Sequence, residues 1–239
     1  MRRARLRGVP GGGRPARVRQ TTWPSDLSAG GGYTPRMPAR LGIDQGGFNL
    51  NCRLPYELRV SDFESAMRDL YDLLRDINTT LEERHLRRIE ESVRPAIFTG
   101  MISDLMAAGL AQHSRVLVTN SYHNGHPDLL PRGEYPNDAV KSGDSGVEVK
   151  TTRGRGSVDA HGARPGWMCL FRYEVDAITQ PARSRRPTEI TEILIAELTV
   201  EDFRRNERSE LGTRTASPNR EGLAKLRTNW VFRKATPPA

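Results

Sequence analysis

The sequence predicts an α/β (α+β) domain in which leading helices are followed by strands and further helices around a mixed central sheet. Three observations carry the prediction. Apolar residues recur at helical spacing between Ser61 and Ala108, and from Arg115 onward they give way to short β-branched runs. Clusters of Gly, Pro, Asn and Asp separate those runs. No apolar stretch approaches about 18 residues, so no membrane span is expected. The N-terminus has no apolar leader, which makes a cytoplasmic protein the expectation. Cys52 and Cys169 belong to no Cys-x-x-Cys motif and read as two free thiols.

Residues 1–40 carry nine arginines against one acid, Asp26, within a Gly- and Pro-rich segment. Such a segment cannot bury enough apolar surface to fold and reads as a disordered basic arm. It would hold polyanions without specificity, or be no more than a solvated tail or an over-long start. Because the whole chain has a net charge of +8, its body is formally neutral and the high pI says little about partners. Residues 41–94 form a helical N-terminal region. Within it, Ser61-Asp62-Phe63-Glu64 is a capping box opening a helix with Phe63, Met67, Leu70, Leu74 and Ile77 on one stripe. Thr80-Leu81-Glu82-Glu83 repeats the box and predicts a second helix to Val93. The amphipathic spacing of Ser61 to Val93 is assigned to self-association in a homodimer.

The rest, residues 95–239, is expected to be the core with a C-terminal extension. A third helix is predicted over Ala96–Ala108, with Gly109 as its cap. Strands follow at Arg115–Thr119, Val147–Thr152, Trp167–Val175, Ile190–Leu198 and, weakly, Trp230–Phe232. Thr199 caps a short helix, and Glu221–Arg227 is another. The alternation Trp167, Cys169, Phe171, Tyr173 and Val175 reads as a core face, with a stacking surface for single strands as the weaker reading.

The chemistry centres on Val147-Glu148-Val149-Lys150. Glu148 and Lys150 are two apart on a strand and leave the same face, opposite the two valines. Lys150 is one of only four lysines among 37 basic residues. A compact ammonium that can exchange a proton suits chemistry that a permanently charged guanidinium serves poorly. Upstream, His126-Pro127-Asp128 begins another strand, and a loop over Tyr135–Asp144 lets the two segments pair as a hairpin. Asp128 and Glu148 would then converge as oxygen ligands for a hard cation such as Mg²⁺, with the Val149 carbonyl as a further ligand. Lys150 would lie beside the metal-bound water.

Pro127-Asp128 with Glu148-Val149-Lys150 twenty positions after the aspartate resembles the PD-(D/E)XK nuclease superfamily, to which most type II restriction endonucleases belong. The resemblance implies a restriction-endonuclease-like core from about Glu82 to Glu201. It also implies Mg²⁺-dependent cleavage of double-stranded DNA, a homodimer that cuts both strands and, for a restriction role, a cognate methyltransferase. It assigns catalysis to Asp128, Glu148 and Lys150, and an additional acid to a preceding helix, where Glu90 or Glu91 is the nearest match.

The Gly- and Arg-rich loop after the catalytic strand offers Arg153, Arg155, His161 and Arg164 to phosphates or base edges. Arg183, Arg185 and Arg186 in the basic loop 177–188 are a weaker version of the same case. His123 and His126, three apart in a turn, raise zinc as a rival, although no second Cys or His pair follows. Two other functions remain open: a DNA-binding or scaffold subunit that no longer cuts, and a repair or recombination nuclease that reads DNA structure.

Overall fold

Apolar spacing at Phe63 does build a helix, α1 (Val60–Glu83), in the computed structural model, which describes residues 40–154, 162–205 and 216–235. The arm expected over residues 1–40 therefore lies, but for Arg40, outside the described residues. α1 begins one residue before Ser61, and Asp62 does the capping. Its carboxylate accepts the Arg59 amide at 2.9 Å and pairs with the Arg59 guanidinium at 2.6 Å. Phe63, Ala66, Met67, Leu70, Tyr71 and Leu74 are buried along one stripe. Burying each of the larger ones contributes about 1.5–3 kcal/mol.

The second predicted helix does not start at Thr80. The Thr80 hydroxyl donates back to the Asp76 carbonyl at 3.0 Å, so α1 runs through it to Glu83. The chain then breaks at His85, whose φ is +57°, and only a short turn of helix, α2 (Ile89–Ser92), comes after it. α3 (Pro95–His113) also outruns its prediction. Gly109 sits inside it, where a Cβ would lie 2.9 Å from the Cβ of Ala66. That glycine lets α1 and α3 approach closely and is not a cap.

The strands are β1 (Leu117–Thr119), β2 (Leu129–Pro131), β3 (Val147–Arg153), β4 (Gly166–Glu174), β5 (Glu189–Leu198), β6 (Phe203–Arg205), β7 (Ala216–Pro218) and β8 (Trp230–Arg233). Six of them form a sheet in the order β1-β2-β3-β4-β5-β8, antiparallel throughout except for the parallel pair β3 and β4. β6 and β7 pair separately and were not anticipated. A last helix, α4 (Arg220–Thr228), starts with the Asn219 side chain accepting the Gly222 amide. Thr199 to Asp202 forms a single 3-10 turn in place of the expected short helix.

The result is an α+β architecture with helices on both faces of a mixed sheet. On one face, Val147, Val149, Cys169, Phe171 and Tyr173 share a core with α1 and α3. On the other, Met168, Leu170, Leu194 and Leu198 pack with Leu226 of α4. The alternation in β4 is thus a core face at Cys169, Phe171 and Tyr173, all fully buried. Residues 41–94 are not a region apart from the sheet, since α1 belongs to the same core and the same compact unit as α3 and the strands. This corrects the assignment of the α1 stripe to self-association: its apolar residues are spent inside the chain. No helix among the described residues is long and apolar enough to cross a membrane.

Candidate active site

β3 is held at its start by its backbone. Gly146 has φ +137°, and a Cβ there would lie 2.1 Å from the Leu129 carbonyl oxygen, so only glycine lets β2 pass this close. The Gly146 amide donates to the Tyr56 hydroxyl at 2.8 Å, and the amides of Asp144 and Ser145 both donate to the Tyr135 hydroxyl at 3.0 Å. Asn120 anchors the other side. Its side chain donates to the carbonyls of Pro127 and Val140 and accepts the amides of Tyr122 and Val140. These bonds fix the segment that delivers Asp128, as the predicted loop-back requires.

β2 and β3 pair antiparallel only at Leu129 and Val147. Counting on from that pair sets Asp128 opposite Glu148, but there the strands splay. The Asp128 carboxylate enters the gap and accepts the Val149 amide at 2.8 Å. Amide and carbonyl of one strand residue point to the same side. The Val149 carbonyl therefore also opens into the gap, with Lys150 Nζ at 3.3 Å and Ser103 Oγ of α3 at 3.4 Å. Lys150 Nζ donates to Glu148 at 2.5 Å and stands 3.9 Å from Asp128. His126 Nδ1 lies 3.3 Å from the Glu148 carboxylate.

Asp128, Glu148, the Val149 carbonyl and Lys150 are thus brought together. Burial, with the negative Glu148 beside it, pushes the Asp128 carboxyl up to about 6. Two converging carboxylates at a partly desolvated position favour a cation between them. In this structure the Lys150 ammonium contacts the same oxygens that a hard divalent ion would use. Among the described residues, no three His, Cys, Asp or Glu side chains are grouped for a metal. Two carboxylates with one carbonyl still fit Mg²⁺, which usually keeps several waters. The zinc alternative gains no support: His123 is exposed, and His126 faces Glu148.

Glu90 and Glu91 are not brought to this site. Glu90 is buried among the Asn78 and Thr188 side chains and the Arg88 guanidinium, while Glu91 pairs with Arg185 at 2.8 Å. The helix that does flank the site is α3, and it presents Ser103. Arg153 also leaves the group. It shares the odd-numbered face of β3 with Val147 and Val149, and donates to the Val175 carbonyl at 3.2 Å. Arg164 stays close, donating to Ser142 Oγ at 3.0 Å. It lines a small cleft, open to solvent, together with His126, Glu148, Trp167, Met168 and Phe203. Arg155 and His161 lie outside the described residues.

Sequence reasoning missed Ser103, Asn120, Tyr56 and Tyr135. Only Asn120 carried a local signal, as a turn residue after a strand. The chain matches no protein-family model, no curated protein and no solved structure.

Proposed function

We propose that the chain is a Mg²⁺-dependent DNA endonuclease of the PD-(D/E)XK type, with Asp128, Glu148 and Lys150 as its catalytic residues. One observation supports this most: two carboxylates, a main-chain carbonyl and an ammonium converge where the pairing of β2 and β3 ends, beside an open cleft. Asp128, Glu148 and the Val149 carbonyl would hold a hard divalent cation, which would lower the pKa of a water and offset charge on the scissile phosphate. Lys150 then orients the attacking water and stabilises negative charge developing on the phosphate oxygens. Its three rotatable donors let it turn from Glu148 to those oxygens without moving the strand. Asp128 is held in place by the Val149 amide. Arg164 on the cleft wall meets a flanking phosphate, a contact that positions the substrate and does not read its sequence.

A restriction role belongs to the same proposal: a second copy of the chain cuts the second strand, and a methyltransferase marks the host's DNA. Digestion of mixed plasmid and phage DNA with Mg²⁺ tests it. Discrete fragments are the expected result. A smear would replace the restriction role with a nuclease that reads DNA structure. Intact DNA with Mg²⁺ or Mn²⁺ from about pH 6 to 9 would overturn the catalytic reading, since a carboxylate titrating near 6 is ionised over most of that range.

A further inference from the structure

Opposite ends of the sheet differ in charge. Glu148 lies beside Met168 at the start of β4, whereas the basic loop leaves β4 at Glu174 and re-enters at Glu189. Six strand residues separate the two levels, roughly 20 Å. α2 and the turn that leads into it from α1 meet the basic loop at this far end. Arg88 Nη1 donates to the carbonyls of Arg185 and Arg186, and Arg185 pairs with Glu91.

Three acids at this end turn inward. The side chains of Glu90, Glu91 and Asp176 are 1%, 16% and 5% exposed. Asp176 accepts the amides of Ile178, Thr179 and Arg186, which draw its carboxyl far below the usual range. Six arginines turn outward: Arg84, Arg87, Arg94, Arg153, Arg183 and Arg186 are exposed, against Asp69, Asp76, Glu83 and Glu174 as exposed acids of α1 and of the end of β4.

We propose that this end of the molecule is a second DNA-holding surface, in which Arg84, Arg87, Arg94, Arg153, Arg183 and Arg186 contact the phosphate backbone away from the cutting site. The choice of DNA as occupant rests on the proposed function; the segregation of charge does not. A planar guanidinium matches phosphate oxygens two at a time. The loop that carries Arg183 and Arg186 is already ordered by Asp176 and Arg88, so little conformational entropy is lost when a backbone docks. Such contacts add affinity without sequence information.

The test compares the full chain with a fourfold variant, Arg84→Gln, Arg87→Gln, Arg183→Gln and Arg186→Gln, for binding a fluorescent duplex in Ca²⁺ over about 50–200 mM salt. The variant should bind at least about tenfold more weakly, and its slope of log affinity against log salt should be shallower by about two or more. Cleavage at saturating enzyme should stay within about twofold, because bound DNA reaches an unaltered site. Unchanged affinity and slope would overturn the surface whatever the cleavage result. Weakened binding by a chain that never cuts would keep the surface and sink the nuclease reading. A wild-type chain that binds phosphatidylserine vesicles and not the duplex would also overturn it. A readout on the wild type is independent of how the variant folds. Duplex should slow phenylglyoxal modification of Arg183 and Arg186, and equal modification with and without DNA contradicts the proposal.

Discussion

Along β3, Val147 and Val149 leave one face and are 0% and 1% exposed, whereas Glu148 and Lys150 leave the other, each with 17% of its side chain in solvent. The valine pair is explained by stability alone, since Val147 and Val149 share a hydrophobic core with α1 and α3. The charged face is not. A partly buried ion pair must offset the loss of water around both ions, and frequently does no more than that. Asp128 makes the position less favourable still, with its carboxyl driven up by burial and by Glu148. One strand therefore supports the fold with one face and carries strain of an electrostatic kind on the other.

The sharpest way to break the comparison is to remove hydrocarbon from the first face. Phe171, fully buried with its ring 6.4 Å from that of Phe63, should cost about 3–5 kcal/mol when changed to Ala. Urea unfolding measures this, and a loss below about 1 kcal/mol would mean the face is not packed as described. The protein that stays folded should cut at close to the wild-type rate.

On the charged face the effects should reverse. Lys150→Arg keeps the charge, so stability should change by less than about 0.5 kcal/mol. Single-turnover cleavage should nevertheless slow at least about tenfold, a barrier increase of about 1.4 kcal/mol. The planar fork is bulkier and gives up no proton, so it misplaces the attacking water. Undiminished cleavage would reduce Lys150 to a structural ion pair.

Asp128→Asn should raise stability while removing activity. The wild-type carboxyl titrates near 6 in the folded chain, above its ordinary 3.8, so the fold binds the proton more tightly than the unfolded chain does. The stability tied to that proton is complete below about pH 3.8 and is lost as pH rises through 6. Asparagine escapes the loss. With a third of the Asp128 side chain in solvent, screening reduces the gain to about 1 kcal/mol at pH 8, and none is expected at pH 4. Thermal melts at the two pH values decide it; equal melting of both proteins at pH 8 would show that Asp128 is not electrostatically strained.

Much of this was legible in the sequence where a short period decides the structure. Alternation alone placed Glu148 and Lys150 on one face and the valines on the other, and the loop between Asp128 and Glu148 delivered the pairing. The same parity already put Arg153 with the valines, on the face away from Glu148 and Lys150. Helix joints were less legible. Thr80 can cap a new helix or bond back within an old one, and packing chooses between them. Glu90 was expected at the site and Ser103 stands there for a related reason. Which helix lies over β3 is set by the fit of Gly109 against Ala66 and the sheet, a contact with no local signature. β6 and β7, three residues each, are too short for any period to show.

The central claim, that the charged face of β3 cuts DNA, is tested most directly by Asp128→Ala and Glu148→Ala. Each variant is assayed for Mg²⁺-dependent cleavage and for duplex binding in Ca²⁺. Both should fold, bind DNA within a few-fold of the wild type, and lose cleavage by at least about 1,000-fold, a barrier increase near 4 kcal/mol. Cleavage at near wild-type rate by either folded variant would contradict the claim.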